Sequence, residues 1–124
     1  SRAFGTKRGP VAGILDIADD AIISIDASQR IQMFNKGAER IFGYTATEAI
    51  GQPIDMLLPE KLRSVHRQHI RNFAQSADIA RKMGERREIV GLRKDKTKFP
   101  AEASISNLKL GQETILTVIL RDIT

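Results

Sequence analysis

Near the start of the chain, apolar and polar residues alternate in two short runs, and the spacing then turns helical. Ile22-Ile23-Ser24-Ile25-Asp26 and Arg30-Ile31-Gln32-Met33-Phe34 have the period and composition of strands, with Ala27-Ser28-Gln29 between them as a hairpin turn. Asn35 follows with a side chain suited to accept backbone N–H bonds at the start of a short helix, Lys36 to Phe42, and Gly43 supplies the left-handed residue that ends it. A second helical turn comes next, capped by Thr45 or Thr47 and closed by Gly51.

Beyond Gly51, Pro53 and an apolar run lead to Pro59, which can open a longer helix over residues 60 to about 75. On that helix Leu62, His66, His69, Ile70 and Phe73 fall within one face, so the spacing points both histidines of the protein toward the interior. A polar stretch, 76–85, precedes a third strand over 87–93. Asp95-Lys96 is the expected hairpin turn, and a lysine at positive φ costs about 1 kcal/mol, which predicts a longer or differently shaped loop. The fourth strand, 99–108, alternates Ala101, Ala103 and Ile105 with Glu102, Ser104 and Ser106, as a half-buried strand does. Gly111 lies in the last hairpin turn and 114–120 forms the fifth strand. At the front, Val11, Ile14, Leu15 and Ala18 recur at helical spacing, so residues 10–18 read as an amphipathic helix opened by Pro10, behind a linker over residues 1–10.

Length and composition narrow the function classes. At 124 residues the chain is one domain with a single core. No run approaches the roughly 20 apolar residues of a membrane span and no signal peptide is visible, so a soluble, cytoplasmic piece is expected. The net charge of +5 comes largely from a basic stretch over residues 61–98. Asp78, Glu85, Glu88 and Asp95 interrupt that stretch, Glu60 stands just ahead of it and no aromatic platform accompanies it, which makes it a solvated face and argues against a nucleic-acid partner. Cysteine is absent, so disulfides and thiol chemistry are excluded. No Ser/His/Asp order or phosphate loop stands out. His66 and His69 at i, i+3 lack the carboxylate or thiolate that would complete a metal set, and no enzymatic activity is expected.

The run from Asp26 to Gly51, with Asn35, Ala38-Glu39, Phe42-Gly43-Tyr44, Glu48 and Ile50-Gly51 at their spacings, resembles the PAS domain. Gly91-Leu92-Arg93-Lys94-Asp95, Phe99-Pro100-Ala101-Glu102 and Arg121-Asp122-Ile123-Thr124 are similar to that family's last three strand signatures, so the resemblance covers roughly residues 11 to 124. It implies an α+β fold: a five-stranded antiparallel sheet in the order 2-1-5-4-3, helices on one face, and a hollow between sheet and long helix. It also implies a sensory module of a larger bacterial signalling protein, such as a histidine kinase or a cyclic-dinucleotide enzyme, whose signal leaves through Asp122-Ile123-Thr124 to an effector beyond Thr124. Without cysteine, a cysteine-linked flavin or chromophore is excluded.

Residues 58–66 are similar to the helix that supplies the iron ligand in the haem-PAS domains of FixL-type oxygen-sensor kinases, and His66 falls on the ligand position. By that resemblance Arg87 lies near the residue that bonds bound oxygen, Ile105 matches an apolar residue across the pocket, and Leu62, His69 and Ile70 complete the wall. Three states of the hollow stay open: haem, another small ligand, or none. The last would make the chain a cofactor-free interaction domain, a homodimer held through Val11, Ile14, Leu15 and Ala18.

Overall fold

The structure, a computed structural model, describes residues 19–74, 87–110 and 113–124, with side chains at all of these except 73, 74, 87, 108–110 and 114. The expected helix over 10–18, the linker, the polar stretch 76–85 and the turn at Gly111 lie outside the described residues. Strands β1 (Ala21–Ile25) and β2 (Ile31–Phe34) form the first hairpin, and helices α1 (Lys36–Phe42) and α2 (Ala46–Ala49) follow. Two 3-10 turns, Ile54–Leu57 and Glu60–Leu62, lead into helix α3 (Arg63–Ala74). Strands β3 (Arg87–Leu92), β4 (Lys98–Leu110) and β5 (Glu113–Asp122) close the sheet. The strand order is β2-β1-β5-β4-β3, antiparallel throughout, as the sequence predicts.

Alternation along β1 buries Ala21, Ile23 and Ile25 against the helical layer, and the register pairs Ile23 with Val118 and Ile25 with Leu116. Phe42 of α1 is the hub of the core: its ring lies 5.5 Å from Phe99 edge-on and 6.3 Å from Phe34. Ile54, Leu57 and Ile70 extend the same core under the 3-10 turns and α3. The exposed edge of β2 is not left open. Ile31 N–H donates to Gln52 O at 2.9 Å and Gly51 N–H to Ile31 O at 2.8 Å, so the segment after α2 covers it.

The β3–β4 turn is tighter than the sequence suggests. Lys96 does stand at φ 76°, yet the β3–β4 loop remains short: Lys96 N–H donates to Arg93 O at 2.8 Å and Arg93 N–H to Thr97 O at 2.9 Å. Asp95 Oδ1 accepts from Thr97 N–H at 3.0 Å and from its hydroxyl. Those bonds offset the strain of about 1 kcal/mol, which is why the expected longer loop is not found. The β1–β2 turn uses the same device, with Asp26 Oδ1 accepting from the N–H groups of Ser28 and Arg30 at 3.0 Å each and Gln29 at φ 65°.

Asn35 joins the sheet to the helices. Its Oδ1 accepts from Ile22 N–H at 2.8 Å and Ala38 N–H at 2.9 Å, and its Nδ2 donates to Asp20 O at 3.1 Å, all at 4% exposure. Replacing it with alanine leaves buried backbone groups without partners as well as removing a helix cap. Asn35→Ala is expected to lower unfolding free energy by about 2–3 kcal/mol in urea titration. A loss below ~1 kcal/mol would show that solvent replaces these bonds.

Candidate functional site

The site predicted from sequence is built on α3 and the strands facing it. Pro59 opens a 3-10 turn instead of continuing as α-helix, so α3 begins at Arg63 and the face predicted for residues 60 to 75 is rotated at its start. Leu62 therefore lies at the surface, 39% exposed, and is not part of an interior wall. Ile70 is the helix residue that the core takes up fully, while His66 and His69 are partly buried beside it. Ile105, on β4 opposite Val118, packs against the edge of the core. Arg87 pairs with Ala103, two residues from Ile105 along β4, and its side chain lies outside the described residues. Ile70 and Ile105 thus meet the core, His66 and His69 are half-buried on the same helix as Ile70, and Leu62 is left out.

Three anchors fix the first turns of α3. Arg63 Nε donates to Leu58 O at 3.0 Å, Arg67 Nε meets Asp55 Oδ2 at 3.2 Å, and Gln29 Nε2 donates to Arg67 O at 3.2 Å. His66 sits among these anchors with its Nδ1 buried and without a hydrogen-bond partner among the described residues. Burial pushes its pKa below the ordinary 6.5, and the nearby imidazole of His69 pushes the same way, while Asp55 opposes both. A neutral imidazole with a lone pair or an N–H to offer is the result. Among the described residues, no group of three or more His, Cys, Asp or Glu side chains is arranged to hold a metal ion.

At the far end of the sheet stands a cluster that sequence reasoning quoted only as strand signatures. Arg93 donates through Nη1 to Ile41 O at 2.6 Å and through Nη2 to Asp122 Oδ2 at 3.1 Å, with its guanidinium 4.1 Å from the centre of the Phe99 ring. Burial works against the ionisation of Asp122, but hydrogen bonds from Thr124 and Arg93 outweigh it and hold the carboxyl below its ordinary 3.8. Gly91 lies under the same ring: a β-carbon there would come within 2.5 Å of Phe99 Cζ. A lone arginine just after a strand end, six residues before an aromatic-proline pair, was the signal available; only the register shows that the two meet.

A pH dependence follows from His66. In the unfolded chain it takes a proton near its ordinary pKa of 6.5, whereas in the fold it resists doing so, so the unfolded state binds more protons as pH drops. Stability is expected to decline as pH is lowered through and below 6.5, and His66→Gln should flatten that decline in thermal melts. Identical slopes for the two proteins would refute the assignment.

The family model described as the PAS domain matches residues 19–124. The chain is 38% identical over 122 residues to the sensor protein FixL of Bradyrhizobium diazoefficiens, which covers 98% of this chain and 24% of that protein. To the oxygen sensor protein DosP of Escherichia coli it is 31% identical over 100 residues, 81% of this chain and 12% of DosP. The chain therefore spans about a quarter of the first relative's length and less of the second. Among solved structures, the PAS domain of a Colwellia psychrerythraea protein superposes with a TM-score of 0.76 at 31% identity, over 92% of this chain and 94% of that one. A PAS domain from a two-component sensor histidine kinase gives 0.73 at 12% identity, over 90% and 92%, a likeness of fold alone.

Proposed function

The chain belongs to the PAS domain family and is similar to the sensor proteins FixL and DosP; we propose that it is a sensory domain that holds a small ligand or cofactor beside His66 and relays its state to an effector domain. The observation that carries the reading is the buried Nδ1 of His66, which has no hydrogen-bond partner among the described residues and belongs to a ring kept neutral by its surroundings. A core histidine that served packing alone would be expected to have that nitrogen bonded.

Haem fits this donor. In the proposal His66 holds the iron, and Ile70 and Ile105 wall the group with apolar surface. Arg87, paired with Ala103 on β4, would supply a cationic donor toward a small ligand bound there. Bound haem would supply an iron that takes up a small diatomic ligand. What the chain contributes is a neutral imidazole, since protonation would block ligation, and a water-poor surround. The domain by itself is proposed to have no turnover.

The relay runs, in this proposal, through the aromatic core. Phe99 contacts Phe42 on one side and Arg93 on the other, and Arg93 is bonded to Asp122 at the end of β5. Displacement of the Phe99 ring would therefore disturb the bond that fixes the start of whatever follows Thr124. The decisive measurement is an absorption spectrum after mixing with haem. A sharp Soret band is expected, lost in His66→Ala and kept in His69→Ala; a band that survives in both variants, or is absent from the parent, rejects haem ligation by His66.

A second reading is favoured by the outer face of the sheet, where Val90 and Ile119 remain 37% and 39% exposed. A homodimer covering that face through Val11, Ile14, Leu15 and Ala18 is the proposed partner arrangement, and it is compatible with sensing. Replacing Ile14 and Leu15 by aspartate is expected to halve the mass in light scattering while the circular dichroism stays unchanged. An unaltered mass would remove this interface.

A further inference from the structure

Around one turn of α3, three side-chain atoms are buried and without a hydrogen-bond partner among the described residues: Gln29 Oε1, Asp55 Oδ1 and His66 Nδ1. One residue gathers the groups that carry them. Gln29 Nε2 donates to Arg67 O at 3.2 Å, Asp55 Oδ2 meets Arg67 Nε at 3.2 Å, and His66 directly precedes Arg67 in the helix. Each bonded atom shares a planar head group with its unbonded one, so the tethers that place Nε2 and Oδ2 also hold Oε1 and Oδ1 beside this turn. The Gln29 amide cannot stand the other way round, because the Arg67 carbonyl only accepts. Asp55 is also near enough to act on the charge of His66. Buried polar atoms without partners are costly, and three around one turn call for a shared one.

Counting donors identifies that partner and its effect on the ring. The two oxygens, one of an amide and one of a carboxylate paired with Arg67, are acceptors. A water molecule brings two hydrogens and accepts in return. If both hydrogens go to the oxygens, the imidazole must give the water a proton; with a bare lone pair at Nδ1, three acceptors would face two hydrogens. We propose that one buried water joins Gln29 Oε1, Asp55 Oδ1 and His66 Nδ1–H, and that Gln29 and Asp55 are thereby positioning residues that hold His66 in its Nδ1–H tautomer with the Nε2 lone pair free. Burial and His69 keep the ring neutral, so the choice of tautomer is open to such control. The inference rests on the reading at His66 only for its use: Nε2 is then the nitrogen that meets a ligand, and the water-held Nδ1–H sets the direction of the ring.

The test is the ring nitrogen spectrum of the full chain without haem, labelled with nitrogen-15 at histidine and recorded at about pH 8, above the ordinary imidazole pKa. His69→Gln identifies which of the two histidine signals belongs to His66. The Nδ1–H tautomer alone is expected. Asp55→Ala and Gln29→Met each remove one acceptor, so the two hydrogens of the water then suffice for the remaining oxygen and a bare Nδ1, and each variant should show a mixture of both tautomers. Arg63→Met loosens the start of α3 by removing the bond to Leu58 O but keeps both acceptors, and should leave the single tautomer in place. The proposal is overturned if His66 of the parent carries its proton on Nε2, if either acceptor variant keeps the single tautomer, or if Arg63→Met releases it as far as they do. Its failure and that of haem binding are read separately: an Nδ1–H ring in a chain that gives no Soret band upholds the inference and removes haem, whereas a Soret band lost in His66→Ala, with an Nε2–H ring in the haem-free chain, overturns the inference and leaves haem ligation standing.

Discussion

One buried amide sets the relation between sheet and helices. The Asn35 side chain bonds the backbone of Ile22 at the start of β1 and of Ala38 in the first turn of α1, and reaches Asp20 as well. Buried polar backbone groups must find partners, and no apolar residue could supply both a donor and an acceptor here. The direction in which the chain leaves β2 is thereby fixed, and α1 must lie across the inner face of β1. Once α1 lies there, Phe42 has to enter the space between Phe34 and Phe99, and the aromatic centre of the core follows from that placement.

The other end of α1 is constrained by complementary chemistry. The last carbonyls of a helix lack partners within it, and here the β3–β4 turn provides them: Arg93 donates to Ile41 O and Lys94 N–H to Phe42 O at 2.8 Å. Lys94 also reaches Glu48 of α2 at 2.6 Å, while Glu39 of α1 accepts from Ala46 N–H at the start of α2. The helical layer is thus tied to β1 at one end and to the far hairpin at the other. The surface pair Lys94–Glu48 adds little energy by itself; the backbone acceptors filled by Arg93 and Lys94 matter more, since those groups would otherwise lie partly buried and unmet.

Much of this was legible because local chemistry and tertiary role coincide. Asn35, Thr45 and Gly43 act as caps in isolation and also as caps in the fold, and the alternation of β1 and β4 survives because one face of each is covered. Leu62 was misread for a definite reason: a period of 3.6 was applied from Glu60 onward, across residues that form a 3-10 turn in which each residue advances by a third of a circle, and the error rotates the side chain out of the core. The Arg93 cluster could not be seen in sequence, because it depends on register: Gly91 opposite Phe99 clears the space that the ring fills, and the ring then carries the guanidinium. Gln29 and Asp55 were missed likewise. They are turn residues locally, and become anchors of α3 only when the chain has folded back on itself.

The same contrast bears on where a signal can arise. α1 is bound at both ends by backbone groups in the interior, so moving it breaks several bonds at once. α3 is held through its first turns by side chains of Arg63, Arg67 and Gln29, with Ile70 as its fully buried anchor. Side-chain tethers of partly exposed residues are weaker and adjust over short distances, so α3 is the element whose position can answer to a ligand at modest energetic cost. Two of the tethers meet at Arg67, and Asp55, the partner of one, also acts on the charge state of His66. A change in the charge state of the buried imidazole would therefore be felt by the same residue pair that anchors α3. By linkage, any ligand that binds more tightly in one arrangement of the Arg67–Asp55 contact shifts α3 toward that arrangement, by no more than its difference in affinity for the two.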